Sequence, residues 1–261
     1  MSSNCLSKRS HLGGDLAFFH NSSTFARPFL PLTNMILCGC AQQKSDGEKY
    51  LNWDLTEDQE ERLHSLRLRV ETVFDNCRSD HQEALKELWT AAFPNSHLNG
   101  LVSSQWKDMG WQGTDPSTDF RGGGFISLEN LLFFSKRYPK TFQQLLYKKG
   151  GRRATWEYPF AVAGVNITFM LIQMLDLRSG KPRSWAAFCF LRILAEDEMA
   201  FDLLYCVAFK VMDTLWLAMR ASYMEFNVVM KATRAQLEHE LTMELVSRIE
   251  DMPSYTLLQR S

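Results

Sequence analysis

From Ser184 to Ile249 the chain contains neither glycine nor proline, and apolar residues recur through it at helical intervals. A stretch of that length, with no residue that breaks the backbone, calls for long helices joined by tight turns. Leu204, Val207, Val211 and Leu215 line one stripe, and Leu237, Leu241 and Leu245 line another. Upstream, Phe160 to Asp176 is apolar almost all round, as suits a helix enclosed by others, and Pro159 occupies a favourable first helical position. Its most apolar part, Phe160 to Leu175, contains Asn166, Thr168 and Gln173 and falls short of the roughly 20 residues that cross a bilayer. No run alternates as a strand does, and no internal repeat is present. The expected fold is all-α, a single multi-helix domain with a long central apolar helix.

The first half carries its own helix signals. Thr56 to Gln59 reads as a capping box, and Leu63, Leu66, Val70, Val73 and Phe74 then mark one face. Ser79 to Gln82 reads as a second box before Leu85, Leu88, Trp89 and Ala92, with Pro94 as the stop. Further helices are expected from Ser127 toward Tyr138 and from Pro139 toward Lys149. Residues 1–50 differ: Asp15 is the only acid in residues 1–45, Ser, Asn, Gly and Pro are frequent, and no period is sustained. A mobile tail is expected there, followed by a helical domain over 51–261.

Composition narrows the functional classes. A net charge of −1 leaves no global field for nucleic acid, so an electrostatic partner needs a local patch. The six cysteines lack the spacing of a disulfide scaffold, and Cys189 and Cys206 lie in apolar helical runs where reduced thiols pack as small hydrophobes. Cys38 and Cys40 form a close pair that suits a free thiol pair better than lipidation, and no second pair or histidine completes a zinc site. No secretory h-region follows the N-terminal lysine and arginine, so a cytoplasmic protein is expected, peripheral on endomembranes at most. Walker A, G-x-S-x-G and H-E-x-x-H sequences are all missing.

Between the helical blocks lies a segment of a different kind, Trp106-Lys-Asp-Met-Gly-Trp-Gln-Gly-Thr-Asp-Pro-Ser-Thr-Asp-Phe-Arg-Gly-Gly-Gly-Phe125. Trp106 and Trp111 can anchor such a loop on the core. Asp115-Pro116 initiates a turn, and Thr118 or Asp119 can bond nearby amides. Arg121 beside Gly122, Gly123 and Gly124 would stand on a backbone free to approach a partner closely. Residue chemistry alone favours Arg121 pairing with Asp115 or Asp119 to lock the loop.

The same segment resembles the signature of the ELMO (CED-12) domain. The resemblance rests on Trp106-x-x-x-Gly110-Trp111-Gln112-Gly113, Asp115-Pro116-x-Thr118-Asp119-Phe120-Arg121-Gly122-x-Gly124 and Leu128-x-Asn130-Leu131-x-x-Phe134. A second block, Tyr158-Pro159-Phe160-Ala161-Val162-x-Gly164-x-Asn166-Ile167-Thr168, extends it over about residues 80–240. One departure is Trp111, where the motif commonly has phenylalanine. Short members of the family resemble activators of Arf-like GTPases, in which the arginine of the Asp-Phe-Arg-Gly motif is the proposed finger. Long members are adaptors for DOCK-type exchange factors and add flanking domains, which are not expected here.

What the resemblance implies is a GTPase-activating protein with Arg121 supplied in trans. The surrounding Trp106, Gln112, Gly113, Asp115, Asp119, Gly122 and Gly124 would form the GTPase-binding loop. An arginine inserted in trans is worth roughly 10³ to 10⁵ in rate, through the charge that builds on the transferring phosphate. Such a protein needs no cofactor of its own, because GTP and Mg²⁺ belong to the partner. The alternative is a non-catalytic adaptor for a small GTPase or an exchange factor. A basic run, Lys136, Arg137, Lys140, Lys148, Lys149, Arg152 and Arg153, has no acid between Glu129 and Glu157. It is expected to be a solvated surface, with the sharper reading that Lys148, Lys149, Arg152 and Arg153 steer an acidic GTPase or an anionic membrane.

Overall fold

The structure, a computed structural model, describes residues 55–148 and 157–259. The expected tail over 1–50, with Cys38 and Cys40, lies outside them, as do Lys149, Arg152 and Arg153. Among the described residues the regular structure is helical throughout. These residues form nine α-helices in chain order: α1 Glu57–Glu71, α2 Ser79–Ala92, α3 Ile126–Arg137, α4 Pro139–Leu146, α5 Phe160–Met174, α6 Trp185–Glu196, α7 Ala200–Met219, α8 Phe226–Leu241 and α9 Thr256–Gln259. Two 3-10 turns, Ser104–Met109 and Pro116–Arg121, interrupt the chain between α2 and α3.

The apolar run expected to be central is central. α5 buries Phe160, Ile167, Leu171 and Met174 among others, and packs against α3, α7 and α8. Its first turn joins an aromatic cluster in which Phe160 stacks on Phe209 of α7 at 5.0 Å and meets Phe142 of α4 edge-on at 5.1 Å. Each such ring removed from water contributes about 1.5–3 kcal/mol, so these contacts fix how the helices meet. No described helix is long and apolar enough to cross a membrane. Cys206 is buried and Cys189 half-buried, both as free thiols.

A polar chain runs through this apolar interior. Asp202 of α7 accepts two hydrogen bonds from the Arg69 guanidinium, at 2.8 and 3.0 Å, and a third from Asn130 Nδ2 at 2.8 Å. Thr168 of α5 donates to Asn130 Oδ1 at 3.0 Å, and Arg69 reaches Glu129 at 3.2 Å. Four helices are thereby tied through groups that have partners, which is the condition for burying them. It also accounts for Asn130 and Thr168 within the two sequence blocks.

Several local expectations need correction. The Thr56–Gln59 capping box is present, but Ser79 is the first residue of α2 rather than its cap, and Gln82 turns its amide to the Asn76 carbonyl. α1 ends at Glu71, so Val73 leaves the apolar face and is 76% exposed. The cause is tertiary: the Thr72 carbonyl accepts the Phe125 amide at 2.9 Å. α8 ends at Leu241, and Leu245 is 91% exposed rather than part of the stripe. There the buried Glu240 carboxylate draws the chain back by accepting from the Ser254 amide and hydroxyl at 2.9 and 2.6 Å.

Candidate functional site

The loop between α2 and α3 is built from the inside outward. Trp106 is fully buried and donates from Nε1 to the Leu101 carbonyl at 3.1 Å. Trp111 is buried beside it, edge-on to both Trp106 and Phe120. Phe120 in turn stacks on Phe74 at 4.7 Å. The expected anchoring role of the two tryptophans is therefore met, and Phe120 joins them.

Polar caps then set the backbone. Asp115 caps the second 3-10 turn by accepting the Ser117 amide at 3.0 Å, with Pro116 next in line. Thr118 donates to the Asp115 carbonyl at 2.9 Å. Asp119 Oδ2 accepts the Gln112 amide at 3.0 Å, stitching the two halves of the loop together. Burial pushes the Asp119 carboxyl above the ordinary carboxylate range, the Gln112 amide opposes this, and Arg121 acts on it more weakly. The Gln112 side chain is exposed, so its contribution to the loop is through its amide.

Three glycines of the loop, Gly110, Gly123 and Gly124, lie close against other parts of this chain. Gly110 has φ +88°, and a Cβ there would lie 2.5 Å from the Phe160 amide nitrogen at the start of α5. Gly124 has φ +69° and lies against the Thr72 carbonyl. A Cβ on Gly123 would strike the Ser127 hydroxyl. A Cβ on Gly113 would meet nothing nearer than the Asp115 amide nitrogen, at 3.9 Å. Gly122 is in a right-handed helical conformation, and its carbonyl accepts Arg178 Nη2 at 3.1 Å.

Arg121 comes at the end of the second 3-10 turn, and its side chain is exposed. Among the described residues no carboxylate lies within ion-pair distance of it, so the expected lock on Asp115 or Asp119 is not made: both acids are spent on backbone amides. The Arg121 guanidinium thus faces solvent on a turn held from below by aromatic rings and from the sides by caps.

The basic run is less uniform than its sequence. Lys136 pairs with Glu87 of α2 at 2.9 Å, and the Arg137 guanidinium lies 5.7 Å from the Tyr138 ring centroid. Lys148 turns inward and places Nζ 3.4 Å from the Tyr158 ring centroid, so it does not belong to a solvated steering patch. No group of three or more His, Cys, Asp or Glu side chains able to hold a metal occurs among the described residues.

Sequence reasoning missed two contributors to this region. Arg178 gave no signal, because it approaches Gly122 from 56 positions downstream. His81 is fully buried, accepts the Asp75 amide on Nδ1 at 2.9 Å and stacks on Phe125 at 3.8 Å, immediately after the triple glycine. A lone histidine on the apolar side of α2 was the available clue.

Comparison with known proteins accords with this anatomy. The model of the ELMO/CED-12 family matches residues 64–230, more than half of the chain. Over 195 residues, 67% of this chain, the sequence is 30% identical to ELMO domain-containing protein A of Dictyostelium discoideum, covering 20% of that protein. It is 38% identical to human ELMO domain-containing protein 2 over 114 residues, 42% of this chain and 38% of the relative. It is 27% identical to rat engulfment and cell motility protein 3 over 198 residues, 71% of this chain and 27% of the relative. The match thus spans only part of each relative's length. On the family match over residues 64–230, the chain belongs to the ELMO/CED-12 family.

Proposed function

We propose that this chain stimulates GTP hydrolysis by a small GTPase of the Arf-like class, with Arg121 supplied in trans as an arginine finger. The observation that carries the reading is the state of Arg121: exposed, at the end of a capped and aromatically anchored turn, and without an ion pair among the described residues. A structural arginine in a loop holding Asp115 and Asp119 would be spent on one of them. Here both carboxylates serve the backbone, and the cation is left over.

Mechanistically, the capped turn fixes the backbone from which Arg121 would reach the partner. As the γ-phosphoryl group leaves, charge grows on the phosphate oxygens, and a guanidinium fork inserted there would stabilise that charge. Asp115 and Asp119 hold the turn, and Trp106, Trp111 and Phe120 hold the loop on the core. GTP and Mg²⁺ come with the partner. Single-turnover GTP hydrolysis by a panel of purified Arf-like, Rac-like and Rab-like GTPases, with and without this protein, tests the reading. Binding without stimulation would instead mark an adaptor that uses the same surface.

A further inference from the structure

We infer that Arg178 is a positioning residue for Arg121, an inference that rests on the finger reading above. Arg178 Nη2 donates to the carbonyl of Gly122, the residue directly after Arg121, at 3.1 Å. This bond fastens the point where the 3-10 turn carrying Arg121 gives way to three glycines. No side chain on residues 122–124 can hold the Gly122–Gly123 peptide in one orientation, so an external donor has to.

Arg178 is itself held in place. It lies in the connection after α5, which Asp176 turns with φ +53°. The Asp176 carboxylate accepts the Arg183 amide at 3.0 Å, and its carbonyl accepts the Ser179 amide at 2.8 Å. The two carbonyls flanking Arg178 are both claimed by Arg67 of α1: Nε donates to Leu177 at 3.0 Å and Nη2 donates to Ser179. One guanidinium thus fixes the backbone from which the next one reaches.

The other end of the glycine stretch returns to the same helix. The Gly124 amide donates to Phe120 at 2.8 Å, and the Phe125 amide donates to Thr72, the residue that caps α1, at 2.9 Å. The Arg121 turn is therefore referenced to α1 twice, directly through Thr72 and indirectly through Arg67 and Arg178. Without the Arg178 bond one of these two references is lost, and the Arg121 backbone can swing about the glycines. Displacements near 1 Å at a group acting on a transition state can cost about 10²-fold in rate.

The test pairs a measurement on the free protein with one on the GTPase reaction. Arg178→Met removes the donor but keeps the length; Arg178→Lys keeps one donor able to reach the carbonyl. In the free protein, Arg178→Met should accelerate hydrogen exchange at the Gly124 and Phe125 amides by at least about fivefold, and Arg178→Lys should restore most of the protection. Against the GTPase that responds best, Arg178→Met should lower maximal stimulation by about tenfold or more, with the half-saturating GTPase concentration changed by less than about twofold. Combined with Arg121→Ala, it should add no further loss. Unchanged exchange in Arg178→Met overturns the inference whatever the activity does. So does a loss confined to half-saturation, which would make Arg178 a direct partner contact. Faster exchange together with a wild-type protein that stimulates no GTPase would leave the positioning of the turn standing and sink the finger reading instead.

Discussion

Arg69 of α1 and Asp202 of α7 meet fork to fork, with both carboxylate oxygens engaged at 2.8 and 3.0 Å and the carboxylate buried. Asn130 adds a third bond to the same carboxylate and passes the chain on to Thr168. Removing one partner of a buried pair strands the other, at a cost of roughly 3–5 kcal/mol. Because the Arg69 side chain is 31% exposed, water can partly recover it, so Asp202→Ala is expected near the low end, about 3 kcal/mol. Urea unfolding gives the number. A loss below about 1 kcal/mol would mean that apolar packing, not this network, joins α1 to α7.

Two glycines of the same motif should behave oppositely. Gly110 combines a left-handed φ of +88° with a Cβ direction that ends 2.5 Å from the Phe160 nitrogen. Strain and overpacking of that kind cost about 1–3 kcal/mol each, so Gly110→Ala should lower stability by about 3 kcal/mol or prevent folding. Gly113 has neither feature, and Gly113→Ala should change stability by less than about 0.5 kcal/mol. Equal effects at the two positions in thermal melts would contradict the loop geometry.

His81 should make stability depend on pH. Burial, followed by the Arg78 charge, holds its folded pKa below the ordinary histidine value of about 6.5. Its Nδ1 accepts the Asp75 amide, and its ring lies on Phe125, so the neutral form is the one that fits. A depressed histidine costs nothing while both folded and unfolded chains are neutral. Its penalty grows as pH falls below 6.5, where the unfolded chain takes up a proton first. Between pH 7 and 5.5 the wild type should lose more stability than His81→Asn, which keeps an acceptor but does not titrate there. Parallel curves for the two proteins would show that His81 is not the titrating group.

What the sequence disclosed about this fold was periodic or local. The Phe160–Met174 helix, the Thr56–Gln59 cap and the buried tryptophans follow from spacing within a few residues. Errors arose where a distant residue decides the outcome. Thr72 ends α1 because Phe125 needs its carbonyl, and Glu240 redirects the chain after α8 toward Ser254. Lys136 belonged to a run without nearby acids in sequence, yet Glu87 lies against it in space. In the site, the motif located Arg121 and its aromatic anchors, whereas the inward use of the glycines and the Arg178 contact exist only after folding. Asp202 and Asp213 inside the apolar α7 were legible hints of buried polar contacts, since an acid there calls for a partner.

Arg121→Lys in the single-turnover assay tests the central claim most directly. Lysine keeps the charge and most of the volume but loses the planar fork. If Arg121 is a finger, the Lys variant should lose at least about two orders of magnitude of the stimulation given by wild type, the low side of what trans arginines supply. Its melting temperature should stay unchanged, because the side chain is exposed and makes no ion pair among the described residues. Stimulation by Arg121→Lys equal to that of wild type, or no stimulation of any GTPase by wild type, would contradict the account.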